Sequence, residues 1–175
     1  IKTIMESGQR AARLTQQLLA FSRKQVIHKE KLNVKNEIEL ILKMIKRLLG
    51  EDIEIDVVHE SDDLCIMADR SQMEQIILNL SINARDAMPK GGSLTIETRM
   101  VTLSAETMIR QFEIEPGPHV CIVVTDTGEG MPPDVIDQIF EPFFTTKEGG
   151  KGTGLGLAVS RRIVEEQGGR LTFEN

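Results

Sequence analysis

Three short stretches hold the residues best suited to chemistry. Asn79, Asn83 and Asp86 recur at four- and three-residue spacing, which sets them on one face of a helix. Asn is a mediocre helix former, so two of them in mid-helix call for a reason. A neutral amide oxygen suits a Mg²⁺ ion already clamped by phosphates. A solvated helix face, or amides bonded within the core, would use the same residues. Asp126-Thr127-Gly128-Glu129-Gly130-Met131 follows the apolar run Cys121 to Val124. A carboxylate at the end of a buried strand can accept from the exocyclic amine of a base, and Gly128 and Gly130 would let the backbone approach a flat ring. A turn capped by its own Asp is the plainer alternative. Gly149 to Gly156 holds five glycines in eight residues ahead of a helix. Free N–H groups and a helix N-terminus favour phosphate there, and Lys147 and Lys151 add positive charge. A Gly-rich linker would share that composition. The stretch is not a Walker loop, because Gly152 follows Lys151. Nor is it the dinucleotide fingerprint, because no strand–helix–strand unit surrounds it.

These stretches need elements to position them. Residues 1 to about 27 have small and apolar residues three and four apart (Ile1, Ile4, Gly8, Ala11, Thr15, Leu18, Ser22), which predicts one helix that must pack on others. Lys31 to Val34 is a short strand candidate. Asn36 to Leu49 carries Ile38, Ile41, Leu42, Ile45 and Leu48 on one face, a helix stopped by Gly50. Ile53, Ile55 and Val57 alternate with acidic residues as a half-buried strand, and Leu64 to Met67 is another. Asp69 opens a helix to about Met88, with Gln72 as its capping-box partner. Leu94 to Leu103 and Val120 to Thr125 read as strands. Residues 104–118 form an excursion with a possible short helix. A short helix follows Pro132-Pro133, a last one covers about 155–167, and Arg170 to Glu174 begins a strand.

Composition bounds the function. A chain of 175 residues with 40% hydrophobic and 27% charged residues folds without needing disulfides or metal. Cys65 and Cys121, each in an apolar run, read as reduced core thiols of a cytosolic protein. The net charge of −6 and the absence of Trp and Tyr give a nucleic-acid backbone and its bases little to bind. No apolar run approaches the roughly 20 residues of a membrane span. Ile1 is not a start methionine, so the chain is expected to be a piece of a longer parent, to which any membrane anchor is left.

Together the motifs are specific. Asn79-x-x-x-Asn83, Asp126-x-Gly128-x-Gly130 and Gly152-x-Gly154-x-Gly156 resemble the N, G1 and G2 boxes of the sensor histidine kinases of two-component systems, in the GHKL or Bergerat superfamily. Ile139-Phe140-Glu141-Pro142-Phe143-Phe144-Thr145-Thr146-Lys147 resembles the F box. Residues 1–28 resemble the second helix of the family's dimerisation and phosphotransfer domain, and residues 29–175 its ATP-binding catalytic domain without the last strands. The fold so implied is α+β: a Bergerat-type two-layer α/β sandwich, a mixed sheet with three helices on one face, preceded by a long helix from a dimerisation bundle.

The resemblance also implies roles. Asp126 would bind the adenine amino group, with Gly128 and Gly130 beside the ring. Asn83 would ligate Mg²⁺, with Asn79 one turn before it near the phosphates. Gly152, Thr153, Gly154, Leu155 and Gly156 match the lid segment whose backbone holds the phosphates, Phe140 and Phe144 its hydrophobic hinge, and Lys147 a phosphate cation. Asp86 stands where many members carry Lys or Arg, which leaves the source of one phosphate contact open. No phosphoacceptor box surrounds His28, His59 or His119, all read as surface or strand-end residues. The implied activity is protein histidine kinase. Mg-ATP would be positioned for phosphoryl transfer to a histidine outside this chain, then to a response-regulator receiver aspartate, in a cytoplasmic homodimer joined through the N-terminal helix. The rivals are a GHKL-type ATP hydrolase and a non-catalytic nucleotide-binding module. The hydrolases place Glu where Asn79 stands, and a neutral amide cannot take a proton from water.

Overall fold

The computed structural model describes residues 27–104, 114–147 and 152–175. The helix expected over 1–27 and the short helix expected within the 104–118 excursion fall outside them. Strand β1 (Glu30–Asn33) leads directly into helix α1 (Val34–Leu49). The helix begins two residues earlier than its apolar pattern predicts, because the Asn33 side chain caps it by accepting from the Asn36 amide at 3.0 Å. Strands β2 (Ile53–His59) and β3 (Cys65–Ala68), helix α2 (Arg70–Ala87) and strands β4 (Gly92–Leu103) and β5 (Gly117–Asp126) follow. A single turn, α3 (Pro133–Ile136), precedes the final helix, α4 (Gly156–Glu166).

The strands make two sheets. β1 pairs antiparallel with β3 as a two-stranded ribbon. β4 is central in the other sheet, parallel to β2 and antiparallel to β5. Period-two alternation turns Leu94, Ile96 and Thr98 of β4 inward, where all three are buried. Leu94 and Ile96 meet Ile38, Ile41 and Ile45 of α1 and Met73, Ile77 and Ala84 of α2 in one core. Burying each of the large aliphatic side chains stabilises the fold by about 1.5–3 kcal/mol. Helix α2 lies between α1 and α4. A second cluster of Leu155, Val159 and Ile163 seats α4 on Ile76 of α2. The expected α+β architecture, a mixed sheet under a helical layer, is therefore observed.

Three local expectations are corrected. Arg170 to Glu174, expected to begin a strand, have no strand structure and pair with none of the described strands. Asp69 caps α2 by accepting from the Gln72 amide at 3.2 Å, but the reciprocal half of the box is not made. The Gln72 side chain is buried and accepts instead from Gln167 Nε2 at 2.9 Å, joining α2 to the end of α4. Cys65 is exposed rather than a core thiol, because the ribbon buries only one of its faces. Among the histidines, His28 is exposed, while His59 and His119 are half-buried at the end of β2 and near the start of β5. No described helix is long and apolar enough to cross a membrane.

Candidate functional site

The C-terminal half of α2 is the floor on which the motifs converge. Its upper end is tied to α4 by Asn79, whose amide donates to the Gly156 carbonyl and to the Ser160 hydroxyl, both at 3.2 Å. Asn79 thus fixes the start of the helix that follows the Gly-rich stretch. Ser160 was not visible as a site residue in sequence, although it stands four residues after Gly156 on the buried face of α4.

One turn further along α2, the Asn83 carbonyl oxygen accepts from the Lys147 ammonium at 3.3 Å. The same ammonium pairs with Asp86 Oδ2 at 2.6 Å. Asp86 Oδ1 is taken by Arg85, at 2.8 Å from Nη2 and 3.1 Å from Nε. Arg85 also donates to the Leu48 carbonyl in the last turn of α1 at 3.2 Å. Partial burial raises the Asp86 carboxyl, but the bonds from Lys147 and Arg85 and their charges outweigh it and hold the group below the usual carboxylate range. The cation resting on Asn83 Oδ1 tests the suitability of that oxygen for a metal: it is accessible, neutral and turned toward positive charge.

The Asp126 loop closes the far end. Asp126 is the last residue of β5, and its Oδ1 accepts from the Gly128 amide at 2.9 Å. The carboxylate is exposed, which leaves its second oxygen open to a ligand. Thr127 anchors the loop to β4: its hydroxyl accepts from the Ser93 amide at 3.0 Å, and its own amide donates to the Ser93 carbonyl at 3.2 Å. The Glu129 amide donates to the Ala87 carbonyl at 3.1 Å. A Cβ at Gly128 would stand 2.7 Å from the Ala87 methyl, so only glycine lets the loop sit on the end of α2. Gly130 adopts φ +68°, and the next residue, Met131, exchanges two bonds with the Asn175 side chain.

The F-box segment runs over the same floor. Phe143 has φ +71°, an uncommon conformation for a bulky residue, and its amide donates to the Gly154 carbonyl at 2.8 Å. Gly154 also has positive φ, at +62°, and a Cβ there would collide with the Phe143 backbone. Phe143 is exposed, Phe144 is half-buried, and Arg161 of α4 lies 5.2 Å over the Phe140 ring. Gly152 lies against the Thr145 hydroxyl. The Thr153 hydroxyl accepts from the Leu155 amide at 3.3 Å, and the Leu155 side chain is fully buried. Of the Gly-rich stretch, Gly149, Gly150 and Lys151 lie outside the described residues. Among the described residues, Asn79, Asn83, Asp86, Lys147, Gly128, Gly130, Asp126 and residues 152–156 lie on, or next to, one surface formed by α2, the 126–131 loop, the 143–147 segment and the start of α4.

Residues 68–175 match the family described as histidine kinase-, DNA gyrase B- and HSP90-like ATPase. The sensor kinase CckA of Brucella abortus (strain 2308) is 43% identical over 97% of this chain, which spans 18% of that relative's length. The catalytic domain of the histidine kinase ThkA in a nucleotide-free form superposes with a TM-score of 0.62 at 28% identity, over 80% of this chain and 82% of that one. A structure of ThkA in complex with the response regulator protein TrrA gives 0.71 at 24% identity, over 97% and 44%, and shares the fold.

Proposed function

Because this chain belongs to the histidine kinase-, DNA gyrase B- and HSP90-like ATPase family, we propose that it is the ATP-binding catalytic part of a sensor histidine kinase. In this reading residues 29–175 are the catalytic domain and residues 1–28 the end of a dimerisation helix. The parent works in the cytoplasm as a homodimer, and its phosphoryl group passes from a histidine outside this chain to a receiver aspartate of a response regulator. The observation that carries the reading is the meeting of Asn79, Asn83, Asp126 and residues 152–156 around one helix floor, with an open carboxylate at one end and a cation at the other.

Each residue then has a task. Asp126 accepts from the adenine amino group through the oxygen that Gly128 leaves free, and Gly128 and Gly130 give the ring room. Asn83 would hold Mg²⁺ by its carbonyl oxygen, where the ion supplies charge neutralisation on the phosphate oxygens. Lys147 adds a second cation, and the backbone of Gly152, Thr153, Gly154, Leu155 and Gly156 lines the phosphate end. Phe140 and Phe144 would form the hydrophobic hinge of that segment. The domain positions and neutralises, as phosphoryl transfer requires, and the attacking imidazole needs no strong base from it.

The hydrolase alternative is disfavoured by Asn79. Its amide is spent as a donor to α4, a task that a carboxylate base cannot perform. The test is incubation with γ-labelled ATP. No acid-labile, base-stable label is expected on this chain alone, and label is expected when a segment carrying the acceptor histidine is supplied. Rapid release of labelled phosphate by this chain, with no transfer, would favour the hydrolase.

A further inference from the structure

The cation at the phosphate end has an address as well as a charge. Lys147 Nζ stands on Asn83 Oδ1 at 3.3 Å and on Asp86 Oδ2 at 2.6 Å. A divalent ion bound through that same amide oxygen would sit about 2.0–2.1 Å from it. Two cations crowded on one carbonyl oxygen repel strongly in a partly desolvated pocket. The ammonium must therefore leave Asn83 when a metal arrives, but it need not leave the site. Asp86 holds it independently, and Asp86 is fixed through its other oxygen by Arg85, which is anchored on the Leu48 carbonyl.

We propose that Lys147 and the nucleotide's metal ion exchange at Asn83 Oδ1, and that Asp86 is the positioning residue that keeps the ammonium beside the phosphates, with or without the ion. This rests on the reading that the pocket holds ATP. Without metal the Lys147 ammonium substitutes for the ion, so metal-free ATP binds by leaning on Lys147. With metal the same charge is supplied twice, and Lys147 matters less. Asp86 carries a charge opposite to that of a phosphate-binding group, yet by retaining Lys147 it serves phosphate binding indirectly.

The test compares three probes on the 175-residue chain by calorimetric titration: ATP with EDTA, ATP with Mg²⁺, and AMP. Lys147→Met is expected to weaken metal-free ATP about tenfold or more, to weaken Mg-ATP about threefold or less, and to leave AMP unchanged. Lys147→Arg should retain most of the metal-free affinity. In an Asp86→Asn background, Lys147→Met should cost metal-free ATP only about threefold or less, because the ammonium is no longer held in place. Equal losses for AMP and ATP would reduce Lys147 to a structural role. Equal losses with and without Mg²⁺ would refute the exchange, and an undiminished cost in the Asp86→Asn background would refute the positioning role. A wild-type chain that binds neither ATP nor AMP would instead overturn the nucleotide reading itself.

Discussion

Replacing Asn79 by Asp exchanges a donor for an acceptor at the joint between α2 and α4. The wild-type amide donates twice, to the Gly156 carbonyl and to Ser160 Oγ, each at 3.2 Å. A net contribution of about 1 kcal/mol per bond accounts for about 2 kcal/mol. The Ser160 hydroxyl can rotate and donate to the new carboxylate, which recovers part of one bond. The Gly156 carbonyl has no such remedy: it faces a partly buried negative charge and loses this bond, at a cost of about 1–3 kcal/mol. Asn79→Asp should thus destabilise the chain by about 2–4 kcal/mol, whereas Ser160→Ala, which spares the Gly156 bond, should cost about 1 kcal/mol. The chain has neither Trp nor Tyr, so unfolding in urea is best followed by far-ultraviolet circular dichroism. With a slope of about 2 kcal/mol per molar, the Asp variant should lower the midpoint by about 1–2 M. A midpoint within about 0.3 M of wild type would show that the two bonds do not hold α4 in place.

Two further substitutions probe the site's scaffold. Gly154→Ala places a Cβ into the Phe143 backbone at φ +62°, so it should weaken ATP at least about tenfold while the circular dichroism spectrum is retained; unchanged titration would show that the close approach is dispensable. Asp69 is partly desolvated, which raises its carboxyl, but bonds from the Ser71 hydroxyl and from the His28, Gln72 and Ser71 amides lower it further, to below the usual range. A depressed folded value means stabilisation that is present above the ordinary carboxylate value and lost as pH falls through the lower one. Asp69→Asn, which keeps an acceptor for the Gln72 amide, should therefore flatten the decline of the thermal midpoint as the pH falls below the ordinary carboxylate range; an identical acid decline would remove Asp69 from the account.

Sequence periodicity located the helices and strands of the sandwich well, because each buries one face and the spacing of Ile38, Ile41 and Ile45 or of Leu94 and Ile96 reports that face directly. It failed where a partner decides the outcome. Residues 170–174 have the residues of a strand, but pairing is a property of two backbones. Gln72 has the spacing of a capping box, but Gln167 claims its side chain from the end of α4. The chemical residues were legible as types and spacings, since Asn79, Asn83 and Asp86 share a helix face by arithmetic alone. Their bonds were not. The Asn79 contact with Ser160 and the Lys147 contacts with Asn83 and Asp86 each span more than 60 positions, so nothing local encodes them. Asp86 in particular reads in isolation as a charge of the wrong sign, and only Lys147 gives it a use.

The central claim, that this surface binds ATP with adenine on Asp126, is tested most directly by calorimetric titration of Mg-ATP into the wild-type chain and into Asp126→Asn. The amide can still accept from the Gly128 amide, but it can also turn its own donor toward the adenine amino group, leaving a polar contact unpaired at about 1–3 kcal/mol. Saturable binding to wild type, about tenfold or more weaker in a variant with an unaltered circular dichroism spectrum, is the expected result. Equal affinity in a folded variant, or no binding to the wild-type chain, would contradict it.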